Sequence, residues 1–221
     1  MVLFLIIQLL LTLSLIILFL LVFTGVTSFE VDLIPSLVIS LFLTYFLTLF
    51  LLASMHKISR VLMKNKEGEI DGTDLILWTI QATSLDIAIT LTRKLIIHSP
   101  FPDVLFRLFG LKIKKGVSIL TPRIWDPDLI EIGENTLVGT NTLISGHHIR
   151  RGKMFRRRII IGKNVTIGAD CVILPGVVIG DNTIVGLGSS IPPNQILDAN
   201  SLYSGVPVKK LKSLTIKDSE N

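Results

Sequence analysis

Two of the four histidines stand side by side, His147 and His148, in a stretch that reads SGHHIRRGKMFRRRII over residues 145–160. Imidazole is the side chain whose unperturbed pKa lies closest to neutrality. A histidine within reach of a hydroxyl can therefore take its proton as the oxygen attacks, a step that typically contributes about 10²–10⁴ in rate. His147 is the candidate base and His148 the second candidate. The same stretch carries Arg150, Arg151, Lys153, Arg156, Arg157 and Arg158. Such a cluster suits the phosphates of a polyanionic donor, an anionic acceptor or lipid headgroups; the plainer reading is a solvated loop. The single cysteine, Cys171, excludes an internal disulfide framework and suits a reducing compartment. With no histidine near it in sequence, it reads as a packing residue.

The chain on either side of this stretch has a strict period. Aliphatic residues fall at 161, 167, 173, 179, 185 and 191, with glycine after four of them, at 162, 168, 180 and 186. Val165, Cys171, Val177, Thr183 and Ser189 occupy a small or β-branched slot four residues after successive aliphatics. The register continues upstream through Ile132, Val138 and Ile144, and again at Ile113 and Ile119, while Arg123 and Trp125 interrupt it. Neither a helix nor a lone strand repeats every six residues; a stacked solenoid of short strands does. Against this economy the 145–160 stretch is an excursion, and such loops carry function disproportionately.

On these hexads, over about 111–210, the chain resembles the hexapeptide-repeat acyltransferases. Its closing Gly205-Val-Pro207-Val-Lys-Lys is similar to their terminal Gly-x-Pro-Ala-Lys. The resemblance implies a homotrimer and an all-β left-handed parallel β-helix with three hexads per coil, hence three internal columns: Ile132/Ile161/Ile179, Val138/Ile167/Val185 and Ile144/Ile173/Ile191. Acetyl-CoA would be co-substrate, lying along the coils between two subunits. Gly146-His147 is similar to the loop-entrance Gly-His of galactoside- and maltose-type acetyltransferases, which implies His147 as general base. By position Ala169, Gly186, Gly188 and Ser189 would line the donor groove. Thr166 stands where many sugar acetyltransferases have an aromatic, and Pro192-Pro193-Asn194 replaces the usual Thr-Lys-Asp. Lys209 and Lys210 are the residues placed to compensate for that missing lysine. A zinc hydratase of the same fold, the γ-class carbonic anhydrase, needs three converging histidines. Here none follows His148, and His56 and His98 precede the solenoid, so no metal is expected.

The front of the chain is of another kind. Residues 2–23 are interrupted only by Gln8, Thr12 and Ser14, and 22 residues of helix span roughly 33 Å, enough for a hydrocarbon core of about 30 Å. A second apolar run covers about 33–55. The link between them carries Glu30 and Asp32, whereas His56, Lys57, Arg60, Lys64 and Lys66 follow the second run. The positive-inside rule then puts the link outside and everything after residue 56 on the cytoplasmic side of a cell membrane. Residues 73–97 predict a third helix with a stripe of Thr79, Thr83, Asp86, Thr90 and Arg93, read as lying on the membrane surface or on the hairpin. The expected division is a two-span hairpin (1–55), a helical connector (56–110), the β-helix (111–208) and a polar tail (209–221).

A net charge of +5 fits an anionic partner, but no aromatic-basic interleaving points to nucleic acid. The reading is an anchored acyltransferase acting on a hydroxyl, or an amine, of a sugar-containing or lipid-linked acceptor. Its competitor is a non-catalytic trimeric scaffold that presents the basic loop to a membrane or partner.

Overall fold

The computed structural model describes residues 2–29, 32–96 and 101–214. Two compact units are present: Met1–Leu62 with Ile76–Ala88, and Met63–Leu75 with Ile89–Asn221.

In the first unit, α1 (Val2–Thr27) packs on α2 (Leu33–Leu62). Pro35 sits in the first turn of α2, where its missing N–H costs little. α2 does not stop where the apolar run stops; it continues through His56, Lys57 and Arg60. Its burial is inverted relative to a water-soluble helix. Ser36, Ser40, Thr48, His56 and Ser59 are buried, while Phe42, Phe46 and Phe50 face outward. The buried hydroxyls bond back along the helix, Ser40 Oγ to the Ser36 carbonyl (2.6 Å) and Ser59 Oγ to that of Met55 (2.9 Å). His56 Nδ1 lies 3.3 Å from the Gln81 carbonyl. α3 (Gly72–Ile96) was expected on the membrane surface or on the hairpin, and its residues Ile76–Ala88 belong to the same compact unit as α1 and α2. By length and composition alone, Gly72–Thr92 and Leu33–Leu62 are apolar enough to cross a membrane. The expected helix stop at His98–Pro100 lies outside the described residues.

The second unit is a prism of short parallel strands. Three sheets form its faces: five-stranded, six-stranded and four-stranded. The strand register matches all three expected columns. Ile161 pairs with Ile132 and Ile179, Ile167 with Val138 and Val185, and Ile173 with Ile144 and Ile191. Ile144, Ile167, Ile173 and Ile191 are wholly excluded from solvent. Upstream, the inward residue is Ile124, between the two positions that interrupt the hexads, and it pairs with Ile144. The coil therefore survives with a shortened step. α4 (Phe101–Leu108) closes the first coil with Leu105 and Phe106. At the far end Lys209–Ser213 is a strand, where a polar tail was expected, and pairs antiparallel with Ser201–Ser204. The tail's last residues, 215–221, lie outside the described part.

Small-slot hydroxyls tie coil to coil. Thr136 Oγ1 donates to the Gly162 carbonyl (2.8 Å) and accepts from Val165 N (3.1 Å); Thr142 does the same with Gly168 and Cys171. Corners demand left-handed backbone, which Asn and Asp tolerate better than other side-chain-bearing residues. One corner is accordingly a ladder, with Asn164 donating to Asn182 (3.0 Å) and Asn182 to Asn200 (2.9 Å). Cys171 is buried in its slot and donates to the Gly186 carbonyl (3.2 Å). Burial pushes its thiol above the ordinary range, opposed by hydrogen bonds from Ser189, Gly188 and Thr142. A maleimide should therefore label the native protein far more slowly than the protein in denaturant. Equal rates would contradict this packing.

Candidate active site

The 145–160 excursion leaves the prism at its third corner as a β-hairpin of His147–Arg150 and Lys153–Arg156. Its two-residue turn is Arg151-Gly152, both at positive φ (51° and 73°), as the twist of a tight hairpin requires. A third strand, Gly68–Ile70 from the segment between α2 and α3, pairs antiparallel with Lys153–Arg156. The connector was expected to be helical; here it contributes a strand.

Side chains alternate across a strand, and this divides the two histidines. His147 shares a face with Met154 and Arg156; His148 shares the other with Phe155. His147 Nδ1 lies 2.5 Å from Asp126 Oδ2. A carboxylate has no proton to give, so Nδ1–H donates and Nε2 keeps its lone pair. The Asp126 side chain is 3% exposed and that of His147 20%, so the imidazole is steered from a dry side and open on another. Ser145 Oγ also donates to the His147 carbonyl (2.9 Å), fixing the strand entrance.

Asp126 is a corner residue of the first coil, left-handed at φ 57° and ψ 54°. The same demand that places asparagine at other corners places a carboxylate here, stacked beneath the hairpin entrance. Trp125 pairs with Ser145, and its carbonyl accepts from Gly146 N (3.2 Å). Gly146 is obligatory for this closeness: a Cβ there would lie 2.9 Å from Asp126 Cβ. Sequence reasoning missed Asp126. The available signal was the break in the hexads at Arg123–Trp125, which falls at the corner where the later excursion also begins.

His148 is differently placed. Its ring stacks on Phe155 at 5.6 Å. Partial burial, then Arg150, His147 and Arg157, hold its pKa below the ordinary histidine range. Its Nδ1 is buried without a hydrogen-bond partner among the described residues. Most of the basic cluster is already engaged: Lys153 with Glu69 (2.7 Å), Arg158 with Glu131 (3.1 Å) and Glu67 (3.3 Å), and Arg157 with the Asn194 side chain (2.8 Å). Arg156 is fully buried and cannot reach a bound anion, a correction to its place among the phosphate-binding candidates. Arg150 and Arg151 are exposed.

Of the residues expected along a donor groove, Ala169 and Gly188 stack at the second corner, Gly188 N donating to the Ala169 carbonyl (2.8 Å). Gly186 lies just before it, and Leu187 beside it is 78% exposed. Ser189 is buried, its hydroxyl donating to the Gly186 carbonyl (2.6 Å) and accepting from Gly205 N (3.2 Å). Lys210 pairs with Asp198 (3.0 Å), and Lys209 is exposed at the end of the prism. Within one chain the second corner and His147 stand on opposite edges of the four-stranded face. Among the described residues no group of His, Cys, Asp and Glu is placed to hold a metal.

Residues 158–193 match the family model of the bacterial transferase hexapeptide (six repeats). Over those residues the chain is similar to transferase hexapeptide repeats. In such repeats the prism is a left-handed parallel β-helix. No curated protein matches the sequence. Among solved structures, a hexapeptide-repeat-containing acetyltransferase from Vibrio cholerae is similar at 20% identity, over 67% of this chain and 96% of that one, with a TM-score of 0.49. A galactoside acetyltransferase in complex with coenzyme A is similar at 23% identity, over 61% and 84%, with a TM-score of 0.45. A maltose O-acetyltransferase from Clostridium difficile 630 is similar at 20% identity, over 59% and 88%, with a TM-score of 0.43.

Proposed function

We propose that this protein is a membrane-anchored acyltransferase that moves an acetyl group from acetyl-CoA to a hydroxyl, or an amine, of a sugar-containing or lipid-linked acceptor. The observation that carries the reading is the Asp126–His147 pair held at the mouth of the one long excursion from a transferase-repeat solenoid. Nε2 of His147 takes the acceptor proton as its oxygen attacks the thioester carbonyl. Asp126 keeps the ring in the working tautomer and stabilises the imidazolium that forms. The proton then passes to the departing thiolate as the tetrahedral adduct collapses.

His147 is assigned as the base and His148 as a neighbour, because only His147 has a carboxylate behind it. The donor is the one implied by the family resemblance. It would run along the second corner by Ala169, Gly186 and Gly188, with backbone contact at Ser189 and with Lys209 and Lys210 toward its phosphates. Because that corner and His147 lie on opposite edges of one face, a trimer in which one copy's hairpin meets the next copy's corner would join them. Anchoring rests on the inverted burial of α2, whose polar side chains face in and aromatics out, as lipid favours. Lys57, Arg60, Lys64 and Lys66, at and just beyond the end of α2, support a prism on the cytoplasmic side.

The test is acceptor discovery with the full-length chain in detergent. Radiolabelled acetyl-CoA is offered with simple glycosides, nucleotide sugars and a total membrane lipid extract. The reading expects label in one of these, and none with His147→Gln. Unlabelled products throughout, with no acetyl-CoA bound, would favour the scaffold.

A further inference from the structure

We infer that Arg156 is the positioning residue of the Asp126–His147 pair, and that the Met63–Ile70 segment, by holding Arg156 from behind, is part of the catalytic site. The inference rests on the acetyl-transfer reading above for its kinetic arm only.

Arg156 is the largest wholly buried side chain among the described residues. A guanidinium there is tolerable only if its N–H groups are satisfied and its charge matched. Each of the three guanidinium nitrogens has an acceptor. Nε donates to Asp126 Oδ1 (3.3 Å), and NH2 spans both oxygens of Asp128 (3.1 and 3.3 Å). NH1 faces the Lys66 carbonyl (3.3 Å) and Met63 Sδ (3.6 Å). In the hairpin Arg156 stands directly opposite His147, so both reach the same carboxylate. One Asp126 oxygen takes the imidazole N–H and the other takes the guanidinium N–H. A carboxylate clamped at both oxygens cannot swivel, and neither can the imidazole that depends on it.

Charge points the same way. Asp128 matches Arg156, which leaves the charge of Asp126 for the imidazolium that forms during transfer. With Arg156 and Asp126 alone, the new cation would have no counterion. Asp128, buried with Asp126 in the Asp-Pro-Asp step, therefore has a reason to be an acid.

The far side of Arg156 is the segment that follows α2 in the chain. It is bound to the hairpin along its length. Gly68 pairs with Arg156 and Ile70 with Met154, and Glu67 and Glu69 pair with Arg158 and Lys153. Its own turn is fixed by the Asp74 carboxylate, which accepts from Lys64 N (2.9 Å) and Asn65 N (3.0 Å). Moving this segment away strips NH1 of both acceptors, so the dyad's geometry depends on it.

The test uses the full-length chain labelled with 15N-histidine, the His147 signals being identified by their loss in His147→Gln. The parent is expected to show the Nδ1–H tautomer of neutral His147. The charge-balanced double variant Arg156→Met/Asp128→Asn should lose that preference. So should Ile70→Pro, which removes a ladder N–H opposite Met154 without touching either aspartate. With the best acceptor from the screen above, the double variant should lose about 10²-fold in kcat at unchanged KM for acetyl-CoA, the scale of a small misplacement of a reacting group. Arg156→Lys, which keeps the charge and part of the bonding, should recover some of both signals and serves if the double variant fails to fold. A double variant or Ile70→Pro with the parent tautomer overturns the inference, as does Arg156→Lys indistinguishable from the parent in tautomer and kcat. The tautomer needs no turnover, so an inactive parent would count against acetyl transfer and leave Arg156 to be judged by the spectra.

Discussion

Asp126→Asn is expected to lower kcat by about 10²–10⁴ while leaving acetyl-CoA affinity within a factor of a few. The amide is nearly the same shape, and the corner's left-handed backbone accepts asparagine as it does at Asn135 and Asn164. The change is therefore one of charge and hydrogen-bond polarity. An amide offers its NH2 to Nδ1 as readily as its oxygen, which would turn the lone pair away from the acceptor and remove the counterion of the imidazolium. His147→Gln should lose activity on the same scale. The two losses should not add, because both remove one unit. Steady-state rates of the two single variants and the double variant check this; additive losses would show that the residues act separately.

The second large effect falls on stability. Ile167 is wholly buried in the middle of its column, between Val138 and Val185. Ile167→Ala should cost about 2–5 kcal/mol, the removed methylenes together with the cavity that a rigid stack cannot close. Thr166→Ala, one residue earlier and pointing outward, should stay within about 0.5 kcal/mol. Unfolding followed by the far-UV signal of the β-helix gives both. Equal effects would mean that the inward and outward positions have been exchanged.

How much of this was legible without coordinates depended on whether one residue type at one spacing carried the signal. The columns were legible because a period of six admits one register, and Ile132/Ile161/Ile179 fell where the aliphatics put it. The excursion and its two histidines were legible as an interruption of that period. Their division into a carboxylate-backed His147 and a Phe155-stacked His148 was not, since it depends on the pleat of a hairpin whose partner strand follows a turn. Asp126 was hidden for another reason. Its coil takes a short step to Ile124 and a long one to Ile132, so the hexad pattern lapses where the site begins. Least visible was Arg156, one arginine among neighbours, whose burial follows from strand alternation and from a strand contributed by residues far earlier in the chain.

The most direct test compares thiol release from acetyl-CoA with equilibrium binding of acetyl-CoA, in the parent and in His147→Gln, both as full-length chains. The expected result is equal binding and a rate lower by at least about 10² in the variant. A parent that binds no acetyl-CoA, or a variant that turns over at the parent's rate, would contradict the account.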